Sequence, residues 1–226
     1  MTLNKSLHRF AVSSVLTLAA LSVIPGTTSA QLGKQQGLVE PNVAADTTLA
    51  SLPHLNAAIA QSLKEARPIL SVVALDSIFA SKGLNKTQRT ELYAKTFVHV
   101  DVNRGTDAEL MLIPGVDAKK LTAIKAGRPW KSFDEFTFAI SKATSAAEAA
   151  RLQQYVFIPI ELNTFTEAIM DSFASIGVGT RQWKREFAEY RPWTSMEQFD
   201  REISKYLRSR PAELNRLKRY VIIDKQ

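Results

Sequence analysis

Arg67-Pro68-Ile69-Leu70-Ser71 returns as Arg128-Pro129-Trp130-Lys131-Ser132 and again as Arg191-Pro192-Trp193-Thr194-Ser195, at steps of 61 and 63 residues. A chain that repeats at a fixed period is built from one local unit used several times, and its core forms where the copies pack. Other positions fall into the same register. Asn42, Asn103 and Asn163 open the copies, Leu55, Val116 and Val178 share one position, and Leu75, Phe136 and Phe199 each lie four residues past the shared Ser. Thr96-Phe97-Val98, Tyr155-Val156-Phe157 and Tyr220-Val221-Ile222 close them. The copies therefore span 41–101, 102–161 and 162–226, with a leader over 1–30 and a linker over 31–40.

The middle copy shows what one unit contains. Thr106 caps a helix that begins Asp107-Ala108-Glu109, where acidic side chains suit the positive end of the helix dipole. Pro114-Gly115 stops it, and Asp117 opens a second helix with Leu121 and Ile124 on its apolar face. Ser132 caps a third, and Thr144 or Ser145 a fourth that runs to about Tyr155. The alternation of Val98-His99-Val100-Asp101-Val102 fits either a brief strand or a packed connector. The expected fold is mainly α: three tandem repeats of about 60 residues, each of about four short helices.

The first residues address compartment. Lys5 and Arg9 precede an apolar run from Phe10 to Ile24, a Pro25-Gly26 break and the small-residue end Thr28-Ser29-Ala30. That layout is a secretory signal peptide cut before Gln31. The competing reading is a membrane anchor, but a spanning helix needs about 20 apolar residues and this run is shorter. Export leaves 27 basic residues against 22 acidic ones, a mild excess that suits an anionic partner or simply a solvated surface. The chain has no cysteine, so neither a disulfide nor a lipid-attachment thiol is available.

Val102-Asn103-Arg104-Gly105-Thr106-Asp107-Ala108-Glu109-Leu110, followed by Leu112-Ile113-Pro114-Gly115-Val116 and later by Trp130-Lys131-Ser132-Phe133-Asp134-Glu135-Phe136, resembles the ComEA-type helix-hairpin-helix family. The resemblance covers one copy well and, through internal repetition, the rest less closely. It implies an exported receptor for double-stranded DNA. A related exported use of the fold is an extrinsic subunit of photosystem II, a structural protein.

In such a hairpin, a Gly-x-Gly turn lets the backbone approach phosphate, with the next helix's N–H groups and dipole aimed at the anion. A basic side chain just inside that helix adds a charge-assisted bond. The third copy matches best, with Gly177, Val178, Gly179 and Thr180, then Arg181, Lys184 and Arg185. The second keeps Gly115 and Val116 but has Asp117 in place of the second glycine, partly countered by Lys119 and Lys120. The first, Pro53-His54-Leu55-Asn56, has neither glycine nor cation and is a degenerate copy.

Several features carry a bland reading beside a sharp one. Trp130 and Trp193 are core residues or base-stacking platforms, and recurrence at a fixed position favours the core. The run Arg201, Lys205, Arg208, Arg210, Arg216, Lys218 and Arg219 is a phosphate stripe or a solvated helical face. Arg67, Arg128 and Arg191 persist even where the turn is degenerate, which favours a structural role at helix-end carbonyls. Catalysis finds no support: once the leader goes, only His54 and His99 remain, far apart and without cysteine. The expectation is a non-enzymatic protein with no metal, cofactor or small-molecule substrate. Its partner is either double-stranded DNA, bound through phosphates, or a membrane-associated protein complex for which it serves as scaffold. An elongated rod of three units would serve either function.

Overall fold

The computed structural model describes residues 31–33 and 37–224, so the leader expected over 1–30 lies outside the described residues. The fold is mainly helical. Residues 41–101 hold α1 (Asp46–Ala50), α2 (Ala57–Glu65), α3 (Val72–Ser81) and α4 (Lys86–Tyr93). After strand β1 (Val100–Asp101) come α5 (Asp107–Met111), α6 (Ala118–Ala126), α7 (Phe133–Ala143) and α8 (Ala146–Gln153). Strands β2 (Val156–Phe157) and β3 (Ile160–Glu161) lead to α9 (Glu167–Ser172), α10 (Arg181–Glu189), α11 (Met196–Ile203), α12 (Pro211–Arg219) and β4 (Val221–Ile222).

Side-chain caps start these short helices where the sequence places them. Thr106, Asp117, Ser132 and Ser145 each accept the N–H three residues on, and Glu109 reaches back to the Thr106 amide to complete a capping box. Gly115 and Gly177 end the first helices of their hairpins at φ 76° and 75°, a left-handed geometry in which a Cβ is strained. His54 holds the matching position of the first turn at φ 62°.

Within the alternating stretch at 98–102, Val100 and Asp101 form a short strand. β1 pairs in parallel with β2, placing Val100 opposite Val156, and β3 pairs in parallel with β4, placing Ile160 opposite Val221. Val39 makes a parallel bridge to Thr96. In each case the extended residues that open a helical segment lie beside those that close it.

One set of bonds recurs at all three Arg-Pro steps, whose peptide bonds are cis. Asn42, Asn103 and Asn163 each exchange two hydrogen bonds with the backbone of Ile69, Trp130 and Trp193, the Asn103 amide donating to the Trp130 carbonyl at 2.9 Å and accepting its N–H at 2.6 Å. Arg67 donates to the carbonyls of Pro41 and Ala44, Arg128 to Val102 and Gly105, and Arg191 to Leu162 and Phe165. Glu40, Asp101 and Glu161 accept the N–H of the same asparagines. The arginines thus bind carbonyls in the links ahead of α1, α5 and α9, which corrects the expectation of helix-end carbonyls. Trp130 and Trp193 are buried and donate from the indole to Ile124 and Phe187, so both are core residues.

Two apolar cores result. One gathers Leu63, Leu75, Phe79, Phe97, Leu110, Phe136 and Leu152 from residues 38–158. The other gathers Phe157, Phe173, Phe187, Trp193, Phe199 and Tyr220, and Leu32 joins it from the far end of the chain. Val43, just ahead of α1, sits against Gly177, and Arg216 of α12 donates to the Ile176 carbonyl at 2.8 Å. Arg219 reaches the His99 carbonyl, while Arg104 reaches the carbonyl of Arg219. The first and last segments therefore touch. This contact overturns the elongated rod, in which only neighbours meet.

Candidate nucleic-acid interface

At the third turn, the Gly177 N–H donates to Ala174, and those of Val178 and Gly179 both donate to the Phe173 carbonyl at 3.2 and 3.0 Å. Val178 is fully buried. A Cβ on Gly179 would lie 1.8 Å from the Met170 carbonyl. The second glycine is therefore required for the end of α9 to approach the chain, a role that the expectation of close phosphate approach did not include. The N–H groups left to an incoming anion are those of the first turn of α10, which have no intrahelical acceptor, as at any helix start. Thr180 caps that helix by accepting from the Trp183 N–H.

The side chains are distributed unequally. Arg181 is exposed on the first turn of α10. Lys184 donates to the Asp171 carboxylate, and Arg185 to Glu186. Arg191 stacks on the Phe165 ring at 3.9 Å while bonding two carbonyls. These four cations line one surface groove of about 930 Å³, together with Phe165, Gln182, Ala188 and a single acid, Glu167. The structure thus brings Arg181, Lys184 and Arg185 together with Arg191, which lies outside the expected site. Arg185 was legible as the i+4 neighbour of Arg181. Arg191 carried no such signal, because its persistence in every copy points to its backbone bonds.

At the second turn, Val116 is buried and its N–H donates to Ile113. Lys120, expected to reach phosphate, donates instead to the Gly115 carbonyl at 2.5 Å and pairs with Glu148 at 3.1 Å. Glu148 also accepts a two-pronged bond from Arg151, at 2.7 Å to each oxygen. Those bonds from Arg151, with Lys120 adding to them, hold Glu148 down at about 2. Asp117 caps α6, and the Lys120 N–H that it accepts pulls its carboxyl below the usual range. Lys119 is exposed. A carboxylate thus faces the second turn and occupies its best cation. At the first turn the His54 ring contacts Glu91 at 2.5 Å, so that turn too presents an acid.

The C-terminal basic run does not form a stripe. Arg201 and Lys205 pair with Glu202, Lys218 with Asp200, and Arg216 is buried against Glu213. Among the described residues no cluster of His, Cys, Asp and Glu is arranged to hold a metal, and no helix is long and apolar enough to cross a membrane. Compared with family models, curated proteins and solved structures, the chain finds no match.

Proposed function

We propose that this chain is an exported, non-enzymatic protein of three tandem helix-hairpin-helix repeats that binds double-stranded DNA without sequence preference. The observation that carries this reading is the groove beside α10, lined by Arg181, Lys184, Arg185 and Arg191 with Glu167 as the one acid of its wall, while Lys184 and Arg185 also pair with Asp171 and Glu186. Guanidinium groups suit phosphate because their forked donors engage two oxygens at once. Contacts of this kind position a duplex without reading its bases. In this arrangement the first turn of α10 supplies N–H groups and the groove supplies the charge. The repeats over 41–101 and 102–161 serve as frame.

Fluorescence anisotropy of the exported protein with a labelled random-sequence duplex tests the reading. Phosphate contacts from Arg181, Lys184 and Arg185, the three cations of the groove not fastened to main-chain carbonyls, predict that log affinity falls against log salt with a slope of about −3. Arg181→Glu is expected to weaken binding at least tenfold and to make the slope shallower by about one. Unchanged affinity and slope in that variant would overturn the assignment.

A second reading is favoured by a different observation: the turn amides at 177–179 are satisfied internally, and Lys120 and Lys184 are held by carboxylates. These features suit a scaffold, an extrinsic subunit of a membrane-associated complex that has kept the repeat and lost its phosphate chemistry. Absence of duplex binding at low salt, with recovery of the protein in a membrane-bound complex, is the outcome that selects it.

A further inference from the structure

The residues following the expected cleavage point occupy a built seat. The N–H groups of Gln31 and Leu32 both donate to Ser172 Oγ at 3.2 Å, and that hydroxyl passes its own proton to the Ile169 carbonyl at 2.7 Å. The Gln31 carbonyl accepts the Ile158 N–H at 2.8 Å. Leu32 is buried and bridges Phe157 in antiparallel fashion. A Cβ on Gly33 would lie 1.7 Å from the Gln153 carbonyl, so the backbone is pressed against the end of α8. The Gln31 side-chain oxygen is buried without a hydrogen-bond partner.

The chemistry of this seat matters once the chain is cut before Gln31, a point on which the inference rests. Cleavage would replace the peptide N–H by an α-ammonium bearing three protons and a full charge. The acceptor shown for that nitrogen is Ser172 Oγ, already shared with Leu32. A partly buried ammonium held by one shared hydroxyl is poorly compensated. We propose that Gln31 of the exported protein is converted to pyroglutamate and that the seat at Ser172 receives the lactam. The neutral α-amine attacks the side-chain carbonyl carbon of the same residue, closing a five-membered ring. The bond from that carbon to the amide nitrogen breaks, and the nitrogen leaves as ammonia, taking the proton that the amine gives up. Because an α-amine titrates at about 8, a useful fraction is neutral near pH 7. The product is a planar, uncharged amide with one N–H, matching the single hydrogen bond that Ser172 accepts from residue 31. The main-chain carbonyl that accepts from Ile158 is unchanged.

The full chain, exported under its own leader and purified, is denatured and digested, and its N-terminal peptide is weighed. The expected peptide begins at residue 31 and is lighter than the glutamine form by one ammonia. A peptide beginning at Gln31 with a free amine overturns the lactam and leaves the cleavage point standing. A peptide beginning elsewhere overturns the cleavage point and the lactam together, and either result leaves the duplex-binding assay to be decided separately. Gln31→Asn, whose shorter side chain cannot close the five-membered ring, is expected to keep its amine and melt at a lower temperature than the parent. Equal melting temperatures would overturn the fit of the lactam to its seat.

Discussion

Arg128 reaches from the start of one extended turn to the carbonyls of Val102 and Gly105 at 2.7 and 2.8 Å, and burial pushes its guanidinium below the ordinary range. A lysine offers one point charge where two forked donors are needed. Arg128→Lys is expected to cost about 3 kcal/mol, because charge-assisted bonds are lost and carbonyls are left under-satisfied. Urea denaturation would show it as a lower midpoint at unchanged slope. Gly179 makes a steric demand of another kind, with the Met170 carbonyl 1.8 Å from where a Cβ would sit. Gly179→Ala should cost about 3 kcal/mol by overpacking, read in the same titration. If its duplex affinity, measured where the protein remains folded, stays close to the parent value, the glycine serves packing and not phosphate. The sequence marked Gly179 as special but could not say why. A Gly-x-Gly pattern records that a Cβ is excluded, without recording whether an anion or the end of α9 excludes it.

Much of the helical framework was legible at the level of elements because capping chemistry is local. Thr106, Asp117, Ser132 and Ser145 are polar residues ahead of apolar periodicity, and each starts a helix of the middle segment. The partners of Lys120 were not legible, since Glu148 lies on α8 and meets the turn only after α6, α7 and α8 have packed. This junction carries a pH dependence. Glu148 is held at about 2 by Arg151 and Lys120, below its unfolded value near 4.5. A carboxyl depressed by folding contributes stability that is present above its unfolded pKa and is lost as pH falls through the folded one. Thermal melts should therefore show Glu148 supporting the protein above pH about 4.5, with that support fading towards pH about 2. Glu148→Gln should melt lower than the parent at neutral pH and converge on it in acid; parallel curves across the range would contradict the assignment.

The molecule as a whole is held by contacts between distant parts of the chain. Leu32 belongs to the core built from residue 157 onward, Val43 packs on Gly177, and Arg219 bonds the His99 carbonyl. Stacked units that touch only their neighbours can unfold piecemeal. Here, loosening the last segment also uncovers the first. Calorimetry is expected to give one transition with calorimetric and van't Hoff enthalpies in agreement, whereas two separable transitions would show that these contacts carry little energy. The sequence could not foretell this closure: the repeat specifies each local frame, while Val43 against Gly177 depends on how the frames turn relative to one another.

The asparagine and arginine that secure each Arg-Pro step fasten chiefly to main-chain atoms in their partner links, with Asn42 also donating to the Glu40 carboxylate and Arg191 stacking on the Phe165 ring. Every amino acid except proline offers the same carbonyl and amide, so the main-chain part of this fastening is blind to residue identity. Side chains elsewhere in each segment can then differ without opening these joints. The first turn carries His54 where the others carry Gly115 and Gly177, and α10 carries Arg181 and Arg185, yet the same bonds close at all three Arg-Pro steps. The fastening therefore constrains the path of the backbone and leaves the exposed chemistry of each segment open.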